Sequence, residues 1–202
     1  MAGICGPHRL ETANPERIRF HHSANVLRSR STTLGIIEYG TDVVVDIQDT
    51  ERFSSYSLSL PLCGEQELSK DGRLLRSDRG QGVIIAPNES QVLAISGDCR
   101  KLQVVISRPA MSEALEGLLQ RPVLEPLRFE PGMDALHGAA AAWWRMAQHF
   151  IGELAQGNEL YEQLAFTREI ESSLIKGLIL AQPNNYSCLL YTSDAADEGL
   201  GV

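Results

Sequence analysis

What most constrains the fold of this 202-residue chain is a change of hydrophobic period at Ser107. Before it, apolar residues recur at every second position; after it, at every third or fourth. The run from Thr33 to Tyr39 is β-branched and aromatic and ends at Gly40. Val43, Val45 and Ile47 then alternate with Val44 and Asp46, and Tyr56, Leu58, Leu60 and Leu62 alternate with Ser55, Ser57, Ser59 and Pro61. This alternation predicts strands with one face on a core and the other in water. Turn residues separate them at Cys63-Gly64, Lys70-Asp71-Gly72-Arg73, Gly80-Gln81-Gly82 and Ser96-Gly97-Asp98, with Asp71-Gly72 suited to a tight hairpin. Short strands between such turns predict an antiparallel barrel or sandwich over 17–107.

After Ser107, Met111, Leu115, Leu118 and Leu119 predict a short helix between Pro109 and Pro122. Beyond the connector 122–132, Leu136, Ala140, Trp143, Ala147, Phe150 and Leu154 form one helical stripe, and Phe166, Ile170, Leu174 and Leu178 form another. The break falls near Gly157-Asn158. Strands first and helices afterwards predict an α+β fold with segregated layers. Residues 1–16, with Gly3, Gly6, Pro7 and Pro15, read as a flexible arm; 108–182 is the helical dimerisation region, 183–187 the start of an interdomain linker and 188–202 a non-native or disordered tail.

At 43% hydrophobic residues the chain can bury one real core. A net charge of −8 and a pI near 5.1 exclude the cationic excess that drives nucleic-acid affinity. Cys5, Cys63, Cys99 and Cys188 form no C-x-x-C pair, so they read as reduced thiols, and no apolar run reaches the ~20 residues that span a bilayer. We expect a cytoplasmic protein with no membrane partner.

Several segments occur in a telling order: His21-His22-Ser23, Leu34-Gly35 through Glu38-Tyr39-Gly40, Tyr56-Ser-Leu-Ser-Leu-Pro-Leu-Cys-Gly64, Gly80-Gln-Gly82 with Ala86-Pro87, and Asn184-Asn-Tyr-Ser187. In that order they resemble the N-terminal effector-binding and dimerisation domain of AraC/XylS-type transcriptional regulators. The resemblance implies a cupin-like, jelly-roll-like β-barrel followed by a C-terminal helical pair. It also implies a sensory role, a small-molecule effector of the aromatic acid or amine kind, and a homodimer. DNA would be contacted only through a C-terminal helix-turn-helix domain that this chain lacks. In that family the Asn-Tyr-Ser segment leads into a linker and a basic domain of about 100 residues. Here Cys188 to Glu198 carries no basic cluster and reads as translated sequencing-adapter DNA at a truncated gene end, the alternative being a genuine short acidic tail.

Catalysis finds little support. A metal-binding cupin needs imidazoles on its strands, yet His8, His21 and His22 precede the predicted strands, and His137 and His149 fall in the predicted helix. Of the adjacent pair His21-His22, at most one can enter the barrel. We expect no enzyme activity, no cofactor and no metal; a metal-dependent cupin enzyme and a filled barrel that only oligomerises are the rival readings. The candidate ligand lining is Val43, Val45, Tyr56, Leu58 and Leu60, with the Tyr56 hydroxyl as a polar handle, and Arg19, Arg28 and Arg30 can meet a carboxylate at the barrel entrance. Trp143 belongs to the core stripe. Trp144, about 100° away, is assigned with Phe166, Ile170, Leu174 and Leu178 to the dimer interface.

Overall fold

The computed structural model describes residues 8–26, 31–48, 53–157 and 159–191. Its strands are β1 Arg9–Glu11, β2 His21–Val26, β3 Thr32–Glu38, β4 Val43–Ile47, β5 Ser55–Cys63, β6 Gln66–Lys70, β7 Arg73–Ser77, β8 Gln81–Ile85, β9 Gln91–Ile95, β10 Arg100–Ser107 and β11 Gly132–Asp134. Its helices are α1 Arg108–Leu119, α2 Gly138–Ala155 and α3 Leu164–Ala181. The strands form two antiparallel sheets, one of order β1-β4-β9-β6-β7 and one of order β11-β8-β5-β10-β3-β2. β6 and β7 are joined through Asp71 and Gly72 at φ 51° and 74°, both left-handed as a two-residue hairpin turn of the primed type requires.

The strand region begins earlier than the sequence suggests. Within the arm expected over 1–16, β1 pairs with β4, Leu10 opposite Val45. His21 and His22, read as preceding the strands, lie in β2, which pairs with β3.

The six-stranded sheet is covered on both faces, and this overturns the expectation of one wet face on β5. Tyr56, Leu58 and Leu60 join Leu34, Ile84, Leu102, Val104 and Ile106 under the helices. Ser57 and Ser59 face the other way, toward the five-stranded sheet, and are only 7% and 2% exposed. A second apolar cluster lies between the sheets, with Ile37, Val43, Ile47, Phe53, Leu68, Val83, Ile85, Leu93 and Ile95. Burying each of the larger aliphatic side chains contributes about 1.5–3 kcal/mol.

The helical layer closes over the six-stranded sheet. α1 starts where Ser107 Oγ accepts from the Ala110 amide at 3.4 Å and stops at Gln120, whose φ is 52°. Ahead of α2, Asp134 Oδ1 accepts from the amides of Leu136 and His137 at 2.7 and 3.1 Å, so Leu136 lies outside the helix and is 63% exposed. Trp143 and Trp144 meet edge to face at 5.0 Å. Trp143 Nε1 donates to the Leu174 carbonyl of α3 at 2.8 Å, while Trp144 packs on Gly82 of β8, a residue the sequence placed in a turn.

Trp144, Ile170, Leu174 and Leu178 are between 0% and 5% exposed within one chain, and Phe166 packs on the same core. The interface assignment for these five is therefore corrected: the fold of a single chain already uses those surfaces. Nor does 183–187 open a free linker. Glu130 N donates to Pro183 O at 2.9 Å, Arg128 N to Asn185 Oδ1 at 2.8 Å, and Tyr186 Oη to Glu125 O at 2.7 Å. A helical turn follows over 187–191 with Leu190 buried, while the rest of the expected tail, 192–202, lies outside the described residues. Among the described residues no helix is long and apolar enough to cross a membrane.

Candidate ligand-binding site

Between the sheets, the faces of β5, β6, β7 and β10 carry polar side chains where a dry sandwich would carry aliphatic ones. Gln66 is their hub. Its Nε2 donates to Ser59 Oγ at 2.9 Å and Ser77 Oγ at 3.0 Å, and its Oε1 accepts from Lys101 Nζ at 2.9 Å. Gln103 Nε2 donates to Ser57 Oγ at 2.5 Å, and Ser77 Oγ donates to Gln81 O at 2.7 Å. Gln66, Ser77, Lys101 and Gln103 are 2%, 0%, 3% and 7% exposed. Such groups remain in an interior only when bonded, since each one stranded there costs about 1–3 kcal/mol.

Beside the network is a cavity of ≈ 40 Å³ lined by His8, Ile37, Tyr39, Val45, Ile47, Phe53, Ser57, Ile85, Leu93, Lys101 and Gln103. That volume holds water or the head of a small ligand, well below the several hundred Å³ of a drug-sized site. A larger hollow of ≈ 760 Å³ lies over the opposite face of the five-stranded sheet, with Glu11, Asp42, Glu65, Glu67 and Arg76 on its walls. It is open to solvent, and Arg76 is held by Glu65.

The lining expected from sequence is only partly here. Val45 lines the cavity and Val43 belongs to the same inter-sheet cluster. Tyr56, Leu58 and Leu60 are on the opposite face, because residues of like parity share one side of a strand and that side meets the helices. The Tyr56 hydroxyl donates to Leu127 O at 2.7 Å, and burial raises its pKa far above the ordinary phenol value, so it is no handle for a ligand in this cavity. Arg19 is exposed, its Nη1 donating to the Glu16 and Ile18 carbonyls at 3.3 Å. Arg28 and Arg30 lie outside the described residues.

Lys101, Gln103, Ser57, Gln66 and His8 are the polar residues the sequence reading missed. The available signal was the pair of polar faces, Ser57 with Ser59 and Lys101 with Gln103, on strands that turn out to be neighbours, Ser59 opposite Gln103. Of the two adjacent histidines, His22 stands opposite Ile37 and is half-buried; burial, with repulsion from nearby positive charge including His21, holds its imidazole below the usual range. Among the described residues no three or more His, Cys, Asp or Glu side chains are grouped to hold a metal ion.

A family model described as an AraC-binding-like domain matches residues 1–180. No curated protein matches the sequence. The crystal structure of the AraC-like transcriptional activator CuxR is similar over 96% of this chain and 72% of that one, with a TM-score of 0.59 and 11% identity. Shorter similarities cover 49% of this chain and 75% of the Clostridium difficile EutQ protein (TM-score 0.36, 19% identity), and 52% of this chain and 72% of the Schizosaccharomyces pombe Cnp3 cupin domain (TM-score 0.38, 10% identity). At 11% identity the likeness to CuxR concerns the fold: a cupin-like, jelly-roll double sheet followed by helices.

Proposed function

The chain belongs to the AraC-binding-like domain family, the sensory part of AraC-type transcription regulators, and from that premise we propose that it takes up a small effector between its two sheets. Its work is binding, not catalysis. The observation that carries this reading is the buried polar network of Gln66, Ser59, Ser77 and Lys101 beside a small inter-sheet cavity, since a purely structural double sheet gains nothing from polar groups there. A ligand in the cavity reaches Lys101 and Gln103 of β10, whose opposite face, Leu102, Val104 and Ile106, supports the helices. Binding biases the helical layer only to the extent that the ligand prefers one of its arrangements.

The reading also includes a homodimer that presents DNA-binding units lying outside this chain. Its interface is the exposed apolar face of α2 and α3, a groove of ≈ 300 Å³ lined by Ala139, Ala142, Trp143, Met146, Gly177, Leu180 and Ala181. Leu180 is 61% exposed there, and the small residues allow close approach of a second copy.

Thermal-shift measurements against small aromatic acids and amines test the sensor. At least one class should raise the melting temperature of the chain, and Leu93→Phe, which fills the cavity, should remove the response. A flat response across the panel, or one that Leu93→Phe leaves intact, counts against the site.

A further inference from the structure

We propose that Cys63 and Cys99 are a paired oxidation site: under a peroxide they close a disulfide that ties the end of β5 to the start of β10. The inference is independent of the ligand reading. Cys63 stands opposite Arg100 in the β5–β10 ladder, so Cys99, one residue before Arg100, is its diagonal neighbour across the pair. A strand spacing of about 4.8 Å and a rise of about 3.4 Å per residue put such a diagonal at about 6 Å between Cα atoms, within the ~4.4–6.8 Å that a disulfide spans. The approach here is close. Cys63 Sγ donates at 3.3 Å to the Asp98 carbonyl, the group bonded to the Cys99 nitrogen, and a Cβ at Gly64 would lie 2.6 Å from both N and Cα of Cys99. Two turns are pinned together around the pair: Ser96 N donates to Glu65 O, Glu65 N to Ser96 Oγ, and Cys99 N to Ser96 O, each at 3.0 Å.

Exposure divides the roles. Cys63 is half-buried and meets the oxidant first, whereas Cys99 is 1% exposed and is reached only from Cys63. The Cys63 sulfur takes one oxygen from hydrogen peroxide, giving a sulfenic acid and one water. Cys99 Sγ then attacks that sulfur: the S–S bond forms, the S–O bond breaks, and the hydroxyl leaves with the Cys99 proton as a second water. Together the two thiols lose two electrons and two protons, and the peroxide is reduced to water. Burial raises the Cys99 thiol to about 11, so it is inert toward peroxide itself and the closing step is the slower of the two. The bond closes the loop from 63 to 99, which contains β6 to β9.

The test exposes the 202-residue chain to hydrogen peroxide, blocks the remaining thiols with N-ethylmaleimide and maps unreduced tryptic peptides by mass spectrometry. Peptide 53–70 should be joined to peptide 80–100 within single chains, the pair two hydrogens lighter than its parts, and dithiothreitol should release it. Cys99→Ser should instead leave Cys63 as a sulfenic acid that dimedone traps, and Cys63→Ser should leave Cys99 unoxidised. The parent's peptide map and Cys63→Ser carry the test if Cys99→Ser does not fold. The linked chain should melt at least about 3 °C above the reduced one, because the bond constrains the unfolded chain. A bond from Cys63 to Cys5 or Cys188, a bond found only between chains, a Cys63 that oxidises without forming a bond or does not react, or no gain in melting temperature would each overturn the pair.

Discussion

Cys99 illustrates how burial sets chemistry at single residues. Its side chain is 1% exposed, and desolvation raises the thiol pKa to about 11 although Lys101 nearby pulls it down. A folded pKa above the ordinary value of 9.0 means that the group's contribution to stability is complete below pH 9.0 and is lost as pH rises through about 11. Iodoacetamide at pH 8 followed by mass spectrometry should modify exposed Cys188 and spare Cys99; comparable labelling of both would contradict this placement. Glycines allow a sharper comparison. A Cβ at Gly82 would lie 2.5 Å from Trp144 Cζ2 and 3.0 Å from Ser59 O, whereas one at Gly117, on the exposed side of α1, meets nothing within 4 Å. Gly82→Ala should destabilise by about 1–3 kcal/mol in urea unfolding, and Gly117→Ala should stabilise by about 0.5–1 kcal/mol. Opposite signs at the two positions are the result that matters. Neither Lys101 nor Ser57 was legible as an interior residue, because polarity alone assigns a strand residue to water and only a second sheet against that face reverses the assignment.

Elements were legible where local chemistry decides them. The β6–β7 turn at Asp71-Gly72 and helix α1, with Pro109 in its first turn, follow from left-handed backbone preference and from a proline placed where its missing N–H is not needed. Helix stripes located α2 and α3 to within a few residues. Strand β5 was found, but its faces were misread: both are buried, one beneath helices and one against the other sheet, and an alternation of leucine with serine looks the same for a half-wet strand. The junction after α3 was misread in a related way. Pro183 to Ser187 is loop-like in composition, yet its backbone and side chains bond to 125–130. Tyr186 donates to Glu125 O at 2.7 Å and accepts from Glu125 N at 3.2 Å, so Tyr186→Phe should cost about 1 kcal/mol in chemical denaturation. A change under about 0.3 kcal/mol would show this clasp to be loose.

At the scale of the whole molecule the question is what one chain leaves uncovered. The apolar residues first assigned to pairing are spent inside the fold, and the α2–α3 groove around Leu180 remains. Light scattering should find a dimer that Leu180→Glu converts to monomer without loss of cooperative melting. A monomeric parent chain would remove dimerisation from the proposal.

The sequence by itself determined the fold class, the order of strands before helices, the hairpin turn at Asp71-Gly72 and the family, because periodicity and turn chemistry act over neighbouring residues. Tertiary structure alone decided which face of each strand looks inward and which apolar stripes are consumed within a chain. It also gathered Lys101, Ser57 and Gln103 around one cavity and bonded Gln66 to Lys101 beside it. Pairing between strands distant in sequence sets those outcomes, and the residues that meet there bear no periodic relation along the chain.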